Sequence, residues 1–136
     1  MPKKILIPID YDDEGSWRHA LPAAVEEARL HGAELSAITV IPEILRLPNL
    51  PANYGSGALD HVRSKIEGIV KDQGYDLPVS VRQGSVYREI LKEAHAIGAD
   101  LIMMASPKGQ SPDFLLGPNA ARVVRHANCS VQVVRG

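Results

Sequence analysis

The sequence predicts an α/β fold, an open parallel sheet covered by helices on both faces. Three observations carry that expectation. Short apolar runs alternate along the chain with amphipathic segments of helical period. The runs at 4–9, 35–41 and 101–105 are continuous rather than alternating, as in strands buried on two faces. Gly32, Gly74 and Gly98 stand where helices are expected to stop.

Residues 4–9 read as the first strand, with Asp10 at its end and a polar loop over 11–15. From Ser16 the pattern turns helical, because Trp17, Leu21, Ala24, Val25 and Ala28 recur at three and four. Pro22 falls in the early turns and bends that helix or delays its start. Residues 35–41 form the second strand. The stretch 42–56 is irregular, with Pro42, Pro48 and Pro51, and reads as a functional flap or a surface segment. A second helix follows over 58–71, with Leu59, Val62, Ile66, Ile69 and Val70 on one face. Residues 78–82 are a short alternating strand, expected at a sheet edge. The third helix covers 86–97 and turns Ile90, Leu91, Ala94 and Ile97 inward. The fourth strand is 101–105, the fourth helix 118–127 and the fifth strand 130–134.

At 136 residues the chain is expected to be one domain, 1–136, with a core that needs no disulfide or metal. Its formal net charge of −1 lacks the basic surplus that nucleic acid or a membrane surface would attract. The one cysteine, Cys129, precludes an internal disulfide, fits a reducing compartment and is expected as an inert buried thiol. The Met-Pro-Lys-Lys start has no apolar signal core, and no apolar run reaches the ~20 residues of a membrane helix. A soluble cytoplasmic protein is expected. His19, His31, His61, His95 and His126 are scattered without the spacing of a metal site.

The last third is the most informative. An apolar run ends at Ala105, a polar loop follows (Ser106-Pro107-Lys108-Gly109-Gln110-Ser111-Pro112), and Gly117 opens a helix. Backbone N–H groups and the positive end of a helix dipole converge in such an arrangement and hold phosphate. In open parallel sheets, ligands bind outside the carboxyl ends of the strands, where the winding direction reverses. Asp10, Val40 and Ala105 stand at such ends, although the pattern alone leaves the strand order open.

Lys3-Lys4-Ile5-Leu6-Ile7-Pro8-Ile9-Asp10 resembles the first strand of the universal stress protein family. Arg82-Gln83-Gly84-Ser85 and Gly98-Ala99-Asp100-Leu101-Ile102-Met103-Met104 resemble the same family, and the stretch 115–135 does so most strongly. The resemblance covers nearly the whole chain. It implies a Rossmann-like, adenine nucleotide alpha hydrolase-like three-layer sandwich with strand order 3-2-1-4-5. It further implies a crevice in which Asp10 faces the 104–109 loop. ATP is the implied ligand, with AMP or ADP as alternatives and Mg²⁺ accompanying a triphosphate.

The family's nucleotide motif is a glycine, two residues, a glycine, nine residues, and a glycine followed by serine, threonine or asparagine. Here Ala105 takes the first position, Lys108 and Gly109 compete for the second in a shortened loop, and Pro118 follows Gly117. Ala105 and the short loop resemble a subgroup of small bacterial single-domain members, whose helix starts Gly-Ser-Asn-Ala-Ala. The resemblance thus marks Pro8, Ile9, Asp10, Val40, Met104, Ala105, Ser106, Lys108, Gly109, Gly117, Pro118 and Asn119 as the nucleotide site.

Each of these residues has a plainer reading beside that one. Asp10 accepts hydrogen bonds from ribose or from the adenine amino group, or it caps a turn. Val40 packs on adenine or is core. Lys108 reaches a terminal phosphate as a point charge, or stays solvated. Ser106 offers a hydroxyl and an N–H to phosphate, or satisfies a turn. Gly109 frees the backbone there. Gly117 is expected as helix cap with Pro118 in the first helical position, where proline is comfortable but removes one N–H donor. The N–H groups of Asn119 and Ala120 remain. Arg122 and Arg125 read as solvated or intersubunit charges.

No catalytic residues are assigned. The expected function is an ATP-binding stress-response regulatory module, dimeric through its last strand, with a higher oligomer left open. Two alternatives stand beside it: an interaction dimer of the same fold without nucleotide, and a slow ATPase. A phosphorylated receiver would use Asp10, Asp12 and Asp13, but it needs an aspartate where Val81-Arg82-Gln83-Gly84 stands. An ATP pyrophosphatase needs Ser-Gly-Gly-x-Asp-Ser where this chain has Tyr11-Asp12-Asp13-Glu14-Gly15-Ser16.

Overall fold

The computed structural model describes residues 2–10, 13–42, 54–106 and 117–135. Strands β1 (Lys4–Pro8), β2 (Glu34–Ile41), β3 (Val79–Gln83), β4 (Leu101–Ala105) and β5 (Ser130–Val134) alternate with helices α1 (Ala20–His31), α2 (Tyr54–Asp72), α3 (Val86–Ile97) and α4 (Gly117–His126). All the strand pairings are parallel, and the sheet order is β3-β2-β1-β4-β5. The winding therefore reverses between β1 and β4, as the family resemblance implied.

The two faces of the sheet bury different side chains, because successive residues of a strand point to opposite sides. Ile5, Ile7 and Ile9 of the first strand segment join Ala37, Leu101 and Met103 under α1 and α2. Leu6, Ile38, Ile102 and Met104 lie on the other face under α3 and α4, against Ile90, Ala94, Ala120 and Val123. Ile5, Leu6, Ile7 and Ile102 are fully buried, each worth about 1.5–3 kcal/mol against exposure. The continuous apolar runs are explained by this two-sided burial.

Helix α1 begins at Ala20 rather than at Ser16. A 3₁₀ turn, Glu14–Ser16, comes first, with Asp13 capping it by accepting the Gly15 N–H. Pro22 is then the third helical residue, where no intrahelical acceptor awaits its missing N–H. Helix α2 begins at Tyr54, within the segment read as irregular, and residues 43–53 of that segment lie outside the described residues. The third helix and the fourth and fifth strands have the expected bounds. Gly98 ends α3 in the left-handed region at φ 68, which a side chain would strain.

Strand β3 lies at a sheet edge, as expected, but its residues are evenly half-buried rather than alternating. Val79 and Val81 pack toward the α1/α2 core on one face. On the other face, Ser80 and Arg82 engage Glu93 of α3, a carboxylate only 7% exposed.

Candidate functional site

Among the described residues, the hydrogen-bonded ladder opens at the carboxyl end of the β1–β4 pair. Strand β1 stays in register with β2 through Pro8↔Ile38, and the Ile9 N–H still donates to the Ile38 carbonyl at 2.8 Å. Strand β4 stays with β5 through Ala105↔Val134, and the Ser106 N–H donates to the Val134 carbonyl at 2.8 Å. Between β1 and β4, however, the register runs only from Ile5↔Leu101 to Leu6↔Ile102.

Pro8 supplies the physical reason. Backbone groups of a strand address its two neighbours alternately. Lys4 accepts the Asp100 N–H beside β4 at 2.9 Å, whereas Ile9 donates toward β2. Leu6 and Pro8 therefore address β4, and proline has no N–H to give.

Side-chain alternation decides which candidates line this opening. Met104 and Val40 belong to the α3/α4 face. The same alternation, continued past the strand ends, assigns positions 10 and 106 to that face, against which Ala120 of the first turn of α4 packs. Ile9 and Ala105 point the other way, into the α1/α2 core, and Ile9 is 3% exposed. Their side chains do not line the opening, and only backbone atoms at those positions remain for it. Ser106 is corrected in one respect: its N–H is held by Val134, so it is not a donor for phosphate.

Asp10 is exposed, and its backbone is clipped by a residue that the sequence reading assigned no role. Ser16 Oγ accepts the Asp10 N–H at 2.8 Å and lies 2.7 Å from the Asp13 carbonyl and 3.0 Å from that of Asp10. Its proton goes to either carbonyl. The clip ties the Asp10 backbone to the 3₁₀ turn at Asp13 and Ser16, so the Asp10 carboxylate leaves from a held backbone. The signal was legible: a serine just before a helical pattern bonds local backbone.

Helix α4 starts one residue earlier than expected, with Gly117 as its first residue and Pro118 as its second. The first-turn amides of a helix lack internal acceptors, so Gly117 and Asn119 carry them here, rather than Asn119 and Ala120. Pro118 offers none. Lys108 and Gly109, with the rest of 107–116, lie outside the described residues.

Other titratable groups are explained by packing. Partial burial first, then the Asp100 charge, pushes the Cys129 thiol up, but the thiol is half-buried rather than buried as expected. Among the described residues no group of three or more His, Cys, Asp and Glu side chains is arranged to hold a metal. An open groove lined by Glu67, Lys71, Asp76 and Val79 among others lies where β3 begins, at the end of the sheet away from Asp10. No helix is long and apolar enough to cross a membrane among the described residues.

Comparison with known proteins agrees with this architecture. The model of the universal stress protein family matches residues 1–135. A universal stress protein of Methanocaldococcus jannaschii is 31% identical over 143 residues, covering 98% of this chain and 82% of that one. Universal stress protein G of Escherichia coli O157:H7 is 46% identical over 55 residues, so that match spans 40% of this chain and 39% of that protein. Among solved structures, the universal stress protein UspA from Lactobacillus plantarum superposes with a TM-score of 0.74 at 25% identity, over 98% of this chain and 97% of that one. A universal stress protein solved in complex with cAMP shares the fold at a TM-score of 0.64 and 19% identity, over 98% and 97% of the two chains. The chain belongs to the universal stress protein family.

Proposed function

We propose that this chain, over residues 1–136, is an adenine-nucleotide-binding module of the stress response, regulatory rather than catalytic, that works as a dimer in the cytoplasm. The observation that carries the reading is the opening between β1 and β4 at the reversal of the sheet. Sheets of this kind bind ligands at that place. Asp10 and Val40 stand on the face of the opening that suits a nucleoside, the carboxylate toward ribose hydroxyls or the adenine amino group and the valine against the base. Gly117 and Asn119 present first-turn amides to a phosphate. Ser106 joins them through its side chain, and Met104 forms the apolar floor.

ATP fits this set with one handicap. Pro118 removes a donor where a serine would give an N–H and a hydroxyl. Each missing bond to a charged phosphate is worth about 1.5–3 kcal/mol, roughly tenfold or more in affinity. The terminal phosphates are held less firmly as a result, and Mg²⁺, for which the described residues form no cage, arrives on the phosphate oxygens. The dimer reading rests on β5, an edge strand with half-buried Val131, Val133 and Val134. The chain's one thiol, inert and half-buried, suits a reducing compartment.

Calorimetric titration of the wild type and P118S with Mg·ATP and with AMP tests the reading. Saturable binding is expected in both proteins, with Mg·ATP tightened roughly tenfold by the substitution and AMP nearly unchanged. Absence of binding by either nucleotide leaves the interaction dimer as the function.

A further inference from the structure

The outer face of α3 and α4 gathers positive charge around one phenol. Arg88 Nε donates to Tyr87 Oη at 3.0 Å, and the Arg88 guanidinium carbon lies 5.7 Å from the centroid of the Tyr87 ring. That of Arg122 lies 5.2 Å from the same centroid, and the His126 ring sits 6.0 Å away, tilted by 30°. Residues from two helices therefore converge on a half-buried tyrosine.

Among the described residues, no carboxylate forms an ion pair with this cluster. Helix α4 contains no acidic residue. The two acids of α3 are committed elsewhere: Glu93 to Ser80 and Arg82, Glu89 to Arg82 and Lys92. A chain with a formal net charge of −1 thus places Arg88, Arg122 and His126 together around Tyr87. The field there is felt by the phenol. The Arg88 hydrogen bond, then the charges of Arg88 and Arg122, hold the Tyr87 hydroxyl below its ordinary pKa.

We propose that this cluster is an anion site, distinct from the crevice, that takes a phosphate monoester. The donors argue for phosphate over carboxylate. Arg88 spends only Nε on the phenol and keeps its terminal N–H groups, and no hydrogen bond of Arg122 is formed among the described residues. The Tyr87 hydroxyl accepts from Arg88 and retains its own proton to donate. Two guanidinium forks, a phenol and an imidazole exceed what the two oxygens of a carboxylate accept, but match the three free oxygens of a monoester. The site is separate because Arg122 and His126 lie five and nine residues beyond Gly117, about 7.5 and 13.5 Å down the axis of α4.

The test is an NMR titration of the full chain with inorganic phosphate, following the Arg Nε–H, His126 ring and backbone amide signals. Sodium chloride and sodium acetate at matched ionic strength are the comparison. Saturating shifts of Arg88, Arg122 and His126 with phosphate are expected, with acetate at least tenfold weaker. R88Q/R122Q should weaken phosphate tenfold or more. Y87F, which keeps the ring and removes the donor, should weaken it by a smaller factor at unchanged circular dichroism. Shifts that follow ionic strength alone, equal saturation by acetate, or an unaltered double variant would overturn the proposal. Saturation confined to the Gly117 and Asn119 amides would also overturn it, placing phosphate in the crevice and leaving the nucleotide reading intact.

Discussion

At the scale of single residues, Pro8 has the largest consequence. A proline inside a central strand is unfavourable because a ladder bond is lost. Here the loss falls on the β4 side alone and opens the sheet where its winding reverses. Pro8→Val restores the donor and should extend the pairing of β1 with β4. The expected outcome is a gain of about 0.5–1.5 kcal/mol in urea unfolding, together with weaker nucleotide binding in calorimetry. Gly84 is constrained by both backbone and space. Its φ is 147, and an added Cβ would stand 3.1 Å from Glu89 Cγ. Gly84→Ala should therefore destabilise the protein by about 1–3 kcal/mol in the same assay. Asp10→Asn keeps the shape but removes the charge, and a roughly tenfold loss of adenosine nucleotide affinity is expected, equal for ATP and AMP because the proposed pose sets this carboxylate at the nucleoside end.

At the scale of elements, two polar clusters tie the layers together. Glu93 of α3 accepts from Ser80 Oγ at 2.7 Å and Arg82 Nε at 2.9 Å, fastening the helix to an edge strand that has one neighbour. Glu93→Ala removes the Ser80 bond and the shorter of the two Arg82 ion pairs, leaving Arg82 with Glu89 at 3.5 Å. A loss of about 1.5–3 kcal/mol is expected by chemical denaturation, the range for hydrogen bonds to charged groups.

The second cluster closes the sheet at the end opposite the crevice. Asp100 Oδ2 accepts the Lys3 N–H at 2.8 Å and the Lys4 N–H at 3.0 Å. Those two bonds, the first the larger, hold its carboxyl below the ordinary aspartate value. Because the folded pKa is the lower one, the unfolded chain binds the proton first. The stabilisation is thus complete above the unfolded value of about 3.9 and disappears as pH falls through the folded one. Acid unfolding followed by circular dichroism should show this slope below about pH 4, and D100N should flatten it.

At the scale of the molecule, β1 pairs with β2 over the whole of β1 and β4 with β5 over both strands, while the seam between the pairs is fastened at Asp100 and open at Asp10. The other feature of the whole molecule is β5 as an edge strand of the sheet. Edge strands of apolar character are blunted or paired in stable proteins. Sedimentation at micromolar concentration should show a dimer, and Val133→Lys on β5 should yield a monomer.

The sequence by itself determined the order of the elements, the alternation of strand and helix, and the two-sided burial of β1 and β4, since continuous runs such as Ile5-Leu6-Ile7 and Leu101-Ile102-Met103-Met104 need apolar cover on both faces. Local chemistry carried that information: period, glycine at helix ends, proline where the first turn tolerates it. The family motifs added the strand order. Only the tertiary structure decided what each candidate faces. Ile9 and Asp10 are neighbours in the chain, yet one is buried beneath α1 and α2 while the other is exposed. The Ser106 N–H was open to phosphate until β5 supplied the Val134 carbonyl. Glu93 stood unnoticed among inward apolar residues until Arg82 and Ser80 met it from another strand. In each case the partner is distant in sequence, and whether a polar group is spent or offered depends on that partner rather than on the residue's own neighbours.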